Sequence, residues 1–477
     1  MRVLFIQPPW GDVYSNFKSA AKLGNAYPPL GVCYLSAILK KRGIETMIID
    51  AEMNNNSLEE CRDLAVAYKP DYICISSTSS IYHIASELGR ILKRSIDVPI
   101  IVGGPHVTVM PQDSIKGREF FDFGIFGEGE TSLVKLIDYL EDKRGDIGEI
   151  NGLIYRDASG KILVNPPTPL ITDLDEVPVP DREGLNLDNY MWSVPGKGMA
   201  RFTTIMTSRG CPFECIFCSA HTVFGKRIRY RKIKLVVDEI ESLVDKFNIR
   251  HFVLIDDTLT LRHDRVREFC GEIKKRKLDI TWEGWTRADV VDEEILRVMK
   301  DAGFVRISFG IESGNQNILG YIKKGTSLKD YPPAYRAAAK LGIETRGSIM
   351  LGHPYETRKT AIETLNFARK LKYCQQMYIN IVTPYPGTVL YEMAKKGTGG
   401  MRLLTDDFSQ YKRYGSAVIE VNDLKVKDLV ELQRKGFKMF YLTPRRILYN
   451  IKRAGLAAAF RNAWAFFKSV ILPSRKG

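Results

Sequence analysis

The sequence predicts an α/β protein: an N-terminal doubly wound parallel sheet, then a partial βα barrel, then a helical C-terminal region with a basic amphipathic tail. Three observations predict it. Short apolar runs alternate with helical patterns over residues 1–150. The alternation stops across 151–200 and resumes from Phe202 with six further strand candidates. Beyond residue 400 the periodicity turns helical, and the final stretch loses its acidic residues.

The elements follow in order. RVLFIQPP is a buried strand ending in a loop, Leu30–Arg42 a helix and Glu45–Ile49 a second strand. DYICISST is the third strand, followed by a helix over Ile81–Arg94. VPIIVGGPH is the fourth, with a Gly-Gly turn. FDFGIFGEGE holds a fifth short strand, and Thr131–Glu141 a helix. Strand–helix alternation of this kind builds an open parallel sheet covered on both faces, with its ligand crevice at the carboxyl ends of the strands.

Residues 151–200 read differently. NGLIYRDASGKILVNPP forms a β-hairpin around Ala158-Ser159-Gly160, and PPTPLITDLDEVPVPDREGL is an ordered linker rich in proline and acid. The second block, 201–400, contains the strands RFTTIMTS, HFVLIDD, ITWEGWTR, RISFGIES, TRGSIMLG and MYINIVTPYP. Helices such as Ile233–Phe247 and Asp264–Lys277 separate them. Repeated βα units of this size make a full or partial barrel whose chemistry lies at the carboxyl-end loops. Residues 401–477 form the C-terminal region.

Composition bounds the function. The 477 residues, 44% hydrophobic and 10% aromatic, can bury a large core. The start, MRVLFIQPP, lacks a signal peptide's basic region and long apolar run, and no stretch of 18 apolar residues occurs. A cytoplasmic protein is expected, in which the eight cysteines are thiols or metal ligands rather than a disulfide framework. Five of them, Cys33, Cys61, Cys74, Cys270 and Cys374, are scattered and read as packing residues. Charge is uneven. The net is +14, but eleven Lys and Arg and no acid fall after residue 431, which leaves +3 for the first 431 residues.

The other three cysteines stand in RGCPFECIFCSA. Cys211, Cys215 and Cys218 follow directly on the first strand of the second block, in a C-x3-C-x2-C loop. Three thiolates can hold three irons of a cubane cluster and leave the fourth open to bind a substrate or cofactor. A structural zinc site needs four ligands and is closed, and His221, three residues after Cys218, is poorly placed to complete a tetrahedron.

C-x3-C-x2-C with aromatic Phe217 before the last cysteine resembles the signature of the radical S-adenosylmethionine (radical SAM) enzymes. The resemblance spans about residues 202–386. It implies a 4Fe-4S cluster whose open iron binds the methionine amine and carboxylate of SAM, and a 5′-deoxyadenosyl radical that abstracts hydrogen. Further motifs match in order along the barrel. Asp256 and Asp257 in LIDDT match second-strand carboxylates that face the cofactor. Arg287 in WTRAD matches a position near the methionine carboxylate. GIESG places Glu312 and Ser313 near the ribose, and SIMLGHPYET carries the sixth-strand Gly352 bordering adenine. Alone, a DD pair is a solvated turn and GIESG a tight turn; their order and spacing carry the match. SAM bears a sulfonium and an ammonium, so acidic side chains at the mouth help to bind it, and Arg287 offers its carboxylate a charge-assisted partner. No catalytic proton donor or acceptor is selected by the sequence.

In the first domain, QPPWGDVY replaces a dinucleotide fingerprint. SSTSS, GGPHVT and GEGET follow strands three, four and five on one edge of the sheet, where glycines let a ligand approach the backbone. Together these loops resemble the cobalamin-binding domain that precedes many radical SAM barrels. The resemblance assigns cobalamin contacts to Pro9, Ser76, Ser77, Thr78, Gly103, Gly104, His106, Gly127, Glu128 and Gly129. The D-x-H-x-x-G motif of cobalt-ligating domains is absent, and no histidine precedes His83. The cobalt therefore has no lower ligand from the loop after strand one.

In residues 444–472, Ile447, Ile451, Leu456, Phe460, Trp464, Phe467 and Ile471 recur at helical spacing with basic residues between them. Such a helix suits either an anionic membrane surface or packing on the barrel. RNA fits less well, because the aromatics follow the apolar stripe rather than interleaving with the basic residues. The expected reaction is cobalamin-dependent methylation of an unactivated carbon in a lipid-like or other poorly soluble small molecule, with an external electron donor. Peripheral contact with the inner face of the cell membrane would accompany it. Cyclisation or rearrangement without methyl transfer is the alternative, since the motifs resemble both hopanoid-type lipid-modifying enzymes and the anaerobic tetrapyrrole cyclase. RNA methylthiolation predicts extra clustered cysteines and a β-barrel tail and is disfavoured, because Cys33, Cys61 and Cys74 are scattered and the tail reads as helical; a non-catalytic cobalamin or iron–sulfur sensor predicts binding without SAM cleavage.

Overall fold

A computed structural model describes residues 1–11, 27–142 and 145–454. It divides into two compact units. The first comprises Met1–Tyr190 with Ser208–Pro212 and Ser219–Lys232, and the second Met191–Thr207, Phe213–Cys218 and the chain from Ile233 onward.

The first unit is built on a seven-stranded sheet: β1 (Arg2–Gln7), β2 (Glu45–Asp50), β3 (Tyr72–Ser76), β4 (Ile100–Gly103), β5 (Phe123–Ile125), β6 (Leu153–Arg156) and β7 (Ile162–Val164), in the order β2-β1-β3-β4-β5-β6-β7. β1 to β5 pair in parallel. Both faces of these strands are covered, so they read as continuous apolar runs rather than alternating ones. Leu4, Ile6, Ile73, Ile75, Ile100 and Val102 form one core with Leu88, Leu92 and Phe121. Strand order reverses between β1 and β3, the switch point at which carboxyl-end loops diverge and leave a crevice. The loops after β1, β3, β4 and β5 all leave that edge.

The expected hairpin forms, but as part of this sheet. β6 pairs antiparallel with β5, and β7 with β6, covering an edge that β5 would otherwise expose. The hairpin and the linker after it belong to the first unit rather than to a separate segment.

The second unit carries β8 (Met191–Val194), β9 (Gly198–Ile205), β12 (His251–Leu254), β13 (Thr281–Thr286), β14 (Phe304–Glu312), β15 (Glu344–Leu351) and β16 (Gln376–Ile381), in the order β16-β15-β14-β13-β12-β9-β8. The six strands expected from the sequence are all present and parallel, and β8 adds antiparallel to β9. The sheet is an open, partial barrel. Two short strands, β10 (Ser208–Arg209) and β11 (Arg229–Tyr230), pair antiparallel within the first unit.

Near the amino ends of the barrel strands lies a buried charge network. Arg306, 0% exposed, bonds Glu283 and donates to Glu344 Oε1 (2.6 Å) and Ser193 O (2.8 Å). Arg346 Nη1 lies 3.3 Å from Glu283 Oε1. The hydroxyl of Tyr449, on the last described helix, donates to Glu344. That helix, Pro444–Ala454, also buries Arg446, which donates to the carbonyls of Arg369, Leu371, Cys374 and Phe440. This basic residue of the tail is thus a packing element, while Ile447 and Leu448 are exposed. The remainder of the expected amphipathic tail lies outside the described residues. Among the described residues no helix is long and apolar enough to cross a membrane. Cys33, Cys61, Cys74, Cys270 and Cys374 are all buried, in keeping with packing roles, and burial pushes the thiols of Cys33, Cys61, Cys270 and Cys374 up to about 12.

Candidate active site

The loop after β10 bears the three cysteines. Gly210 starts it at φ +104°, where a Cβ would lie 2.5 Å from Arg227 O, so only glycine allows this close return of the backbone. Cys211 N then donates to Gly225 O at 3.2 Å. In the second unit, Ile216 N donates to Ile322 O (3.1 Å), Leu390 N to Ile216 O (2.9 Å), and Cys218 N to Cys215 O (3.1 Å). Cys211 and Cys218 are partly exposed, Cys215 is buried, and none is in a disulfide. Among the described residues no three His, Cys, Asp or Glu side chains converge to hold a single metal ion. A cubane needs no such convergence, because each thiolate takes a different iron. Three cysteines outside any disulfide on one short loop, two of them solvent-accessible, fit a cluster and not a compact closed zinc site.

The carboxyl ends of the barrel strands carry the other expected residues. Asp256, after β12, is buried and accepts from Thr207 N (3.1 Å) and Thr207 Oγ1 (3.0 Å). Asp257 is exposed, yet the protein packed round its carboxyl desolvates it and, with the Asp256 charge beside it, raises its pKa to about 6. Arg287 is buried, with its guanidinium on both oxygens of Asp289 and 3.7 Å from the centre of the Phe213 ring. Glu312 ends β14 at φ +66°, a strained conformation for a non-glycine residue, and lies 3.3 Å from Lys324 Nζ. Ser313 is buried and its hydroxyl lies 3.1 Å from that of Thr364.

Gly352, at φ +99°, turns the chain after β15, and its amide donates to Glu356. Glu356 and His353 are both fully buried. Burial raises the Glu356 carboxyl to about 7 and lowers the His353 imidazole to about 4. His353 Nε2 lies 3.4 Å from Glu312 O, and its ring centre 6.2 Å from that of Phe217. His353 Nδ1 and Glu356 Oε1 have no hydrogen-bond partner among the described residues. Buried, unpartnered polar atoms next to the β14 and β15 loops fit a polar cofactor there. His353, Glu356, Thr207 and Lys324 were not singled out from sequence. His353 and Glu356 stand in the quoted SIMLGHPYET, where a histidine and an acid inside an apolar strand-end motif are the signal.

In the first unit, Gly104 sits at φ +95°, and a Cβ there would meet Ser77 O at 2.8 Å and Ser77 N at 2.9 Å. The loops after β3 and β4 are therefore in backbone contact, and Ser77 N donates to Gly103 O (3.0 Å). Gly127, at φ +79°, has open space above it, whereas Gly103 and Gly129 have ordinary neighbours. Pro9, Ser76, Thr78 and Gly127 remain accessible at this edge. Ser77, His106 and Glu128 turn inward. The His106 ring stacks on Tyr82, with centroids 3.9 Å apart, and Nδ1 lies 3.1 Å from Ser79 Oγ; desolvation lowers its pKa to about 4. Glu128 is occupied by Arg209 and Arg229. Also unforeseen is Glu52, which accepts from the amides of Trp10 (3.0 Å) and Gly11 (2.6 Å) and so shapes the loop after β1. A backbone-lined edge with open space over Gly127 fits a broad ligand such as a corrin.

Residues 205–368 match the radical SAM superfamily and residues 19–137 the B12 binding domain. The chain is 33% identical over 455 residues to an uncharacterized methyltransferase of Pyrococcus horikoshii, covering 94% of this chain and 95% of the relative. It is 30% identical to the anaerobic magnesium-protoporphyrin IX monomethyl ester cyclase of Rubrivivax gelatinosus, over 94% and 79% of the two chains. Among solved structures, the radical SAM methyltransferase TsrM of Kitasatospora setae, with cobalamin and a [4Fe-4S] cluster bound, has the same fold, at TM-score 0.75 and 18% identity over 98% of each chain. With the sheet, the partial barrel and the cysteine loop in place, these matches make the chain a member of the cobalamin-binding radical SAM enzymes, whose cofactors are a 4Fe-4S cluster, SAM and cobalamin.

Proposed function

We propose that the protein is a C-methyltransferase acting on an unactivated carbon of a lipid-like or other poorly soluble small molecule. The observation that carries methyl transfer is the near end-to-end similarity, at 33% identity, to a protein named as a methyltransferase. The lipid-like substrate is supported by the apolar and basic pattern of residues 444–472. When bound, the reduced cluster and SAM supply a radical that takes hydrogen from carbon, and cobalamin supplies the methyl group.

The chain's own residues bind, orient and exclude water. Cys211, Cys215 and Cys218 would hold the cluster through three irons and leave the fourth for SAM. Asp256 and Asp257 would offer negative charge to the sulfonium and ammonium. Arg287 would receive the methionine carboxylate by giving up part of its bidentate contact with Asp289. Glu312 and Ser313 would flank the ribose, while Phe217 and the Gly352 loop would border the adenine. In the first unit Pro9, Ser76, Thr78, Gly103, Gly104, Gly127 and Gly129 would line the cobalamin edge; Ser77 and His106, both buried, would support that edge from behind.

Cyclisation without methyl transfer is favoured by a separate observation, the 30% identity to the anaerobic cyclase. One experiment separates the two. Anaerobically reconstituted protein, with and without hydroxocobalamin, receives methyl-deuterated SAM, reductant and a lipid extract from the source cell. S-adenosylhomocysteine and 5′-deoxyadenosine both rising with cobalamin, together with deuterated methyl in a lipid, is the expected result. 5′-deoxyadenosine alone, with no label transferred, overturns methyl transfer.

A further inference from the structure

Glu128 stands between Gly127 and Gly129 in the loop after β5, and its side chain is only 1% exposed. Its Oε1 accepts from Arg209 Nη1 at 3.0 Å. Its Oε2 accepts from Arg229 Nη1 at 2.8 Å and from Ile171 N at 2.7 Å. The arginines hold the carboxyl below its ordinary range even though burial alone would raise it. A carboxylate so completely engaged by protein has little left to offer a ligand at the sheet edge.

The two arginines hold the ends of the cysteine loop. Arg209 is two residues before Cys211. Arg229 lies on β11, directly opposite Arg209 in the β10–β11 pairing. That ladder is two residue pairs long, too short to be stable by itself. Its facing pair is also two like charges, which repel when directly opposed. Both arginines are buried, at 5% and 6% exposure, so solvent does little to screen them. Glu128 bridges the two guanidiniums and turns that repulsion into attraction. The remaining contacts fix the forks. Arg209 Nη2 lies 2.7 Å from Glu130 Oε1, and its guanidinium stands over the Tyr34 and Phe224 rings. Arg229 donates to Ile171 O (2.6 Å) and Phe224 O (2.9 Å). All of these residues belong to the first unit.

We propose that Glu128 is a positioning residue for the iron-binding loop: through Arg209 and Arg229 it closes the base of that loop and fixes Cys211, so that the cobalamin-side loop of the first unit sets the geometry of an iron ligand. The same short loop therefore serves two cofactors, with Gly127 presenting open backbone at the sheet edge and Glu128 reaching back to the cysteine segment. The proposal rests on Cys211 being a cluster ligand.

The test uses the full-length chain and has one readout on each form. In the apo-protein, the rate of iodoacetamide labelling at Cys211 is measured by peptide mass spectrometry, with buried Cys374 as internal reference. In the anaerobically reconstituted protein, iron release to a chelator and the electron paramagnetic resonance spectrum of the reduced cluster, with and without SAM, are recorded. E128Q should label faster at Cys211 with Cys374 unchanged, and should release iron roughly tenfold faster, as loss of outer partners of metal ligands does. D63N, at an exposed carboxylate of the same unit that pairs with Arg62 and touches neither Arg209 nor Arg229, should stay within twofold of wild type. Should E128Q not fold, R209K keeps the charge and removes the fork, and the same selective change at Cys211 is expected. Wild-type labelling and iron release in E128Q overturn the proposal, and so does equal acceleration at Cys211 and Cys374, which is general loosening. Full iron content in C211A refutes the ligand reading instead, and the labelling data still decide whether Glu128 fixes Cys211.

Discussion

Asp256 takes both hydrogen bonds that Thr207 has to give, from the amide at 3.1 Å and the hydroxyl at 3.0 Å. Thr207 is four residues ahead of Cys211, so the end of β9 and the carboxylate after β12 are fixed to each other. T207V keeps the shape and removes the hydroxyl. It should weaken SAM binding by about tenfold, the lower end of what one hydrogen bond to a charged group is worth. Equilibrium binding by isothermal titration checks this, and an unchanged affinity would detach Asp256 from the cofactor.

Replacing Cys211, Cys215 or Cys218 by Ala should each abolish reductive SAM cleavage and the brown cluster chromophore. C374A, at a buried packing cysteine, should keep both. Retained 5′-deoxyadenosine production in any of the first three refutes the ligand set.

Asp257 has a carboxyl raised to about 6 by desolvation and by Asp256. Its negative charge is therefore lost as pH falls through 6. SAM affinity should decline across that range in the wild type. D257N should bind more weakly at pH 7.5 and show a flatter profile between pH 7 and 5. A profile of the same slope in D257N would place the titration elsewhere.

Glu356 and His353 affect stability with opposite signs. The folded pKa of Glu356, about 7, lies above the ordinary 4.5. Between those values the folded state holds the extra proton, so stability falls as pH rises, by a total of about 3 kcal/mol. The folded pKa of His353, about 4, lies below the ordinary 6.5. There the unfolded state holds the extra proton, and stability falls as pH drops. The two slopes oppose each other between pH 4.5 and 6.5. E356Q should therefore be more stable than wild type above pH 7, lose that advantage toward pH 4.5, and become distinctly more acid-sensitive. Urea denaturation at a series of pH values measures it; a parallel pair of curves would count against the buried carboxyl.

Gly104 has both a left-handed φ and a virtual Cβ 2.8 Å from Ser77 O. G104A should lose about 2 to 4 kcal/mol of stability and retain cobalamin poorly after desalting. G117A has the same sign of φ, at +66°, but open space around it, and should show the smaller strain alone.

The strands were legible because parallel strands buried on both faces appear as uninterrupted apolar runs, as in RVLFI and YICIS. The cysteine loop was legible because its ligands are local, within eight residues. What escaped reading was contact between distant segments. Nothing in GEGET says that its first glutamate faces Arg209 and Arg229, because 81 and 101 residues separate the partners. For the same reason the sequence could not separate a surface His106 from one stacked on Tyr82, nor foresee that the 151–164 hairpin extends the first sheet. The sign of φ at Glu312 is likewise set by tertiary packing, since no local residue type demands it.

The charge network around Arg306 constrains how such a protein can change over generations. Removing one partner of a buried ion pair leaves the other charged and desolvated, typically a loss of 3–5 kcal/mol, whereas replacing a whole set by apolar residues of like volume can be neutral. Positions 283, 306, 344 and 346 are thus bound in a single epistatic block. One substitution at a time leads downhill into a barely stable chain, while coordinated replacement crosses to another viable interior. Lineages related to this protein should keep the four together or exchange them together, and Tyr449, whose hydroxyl joins the set through Glu344, should be inherited with them.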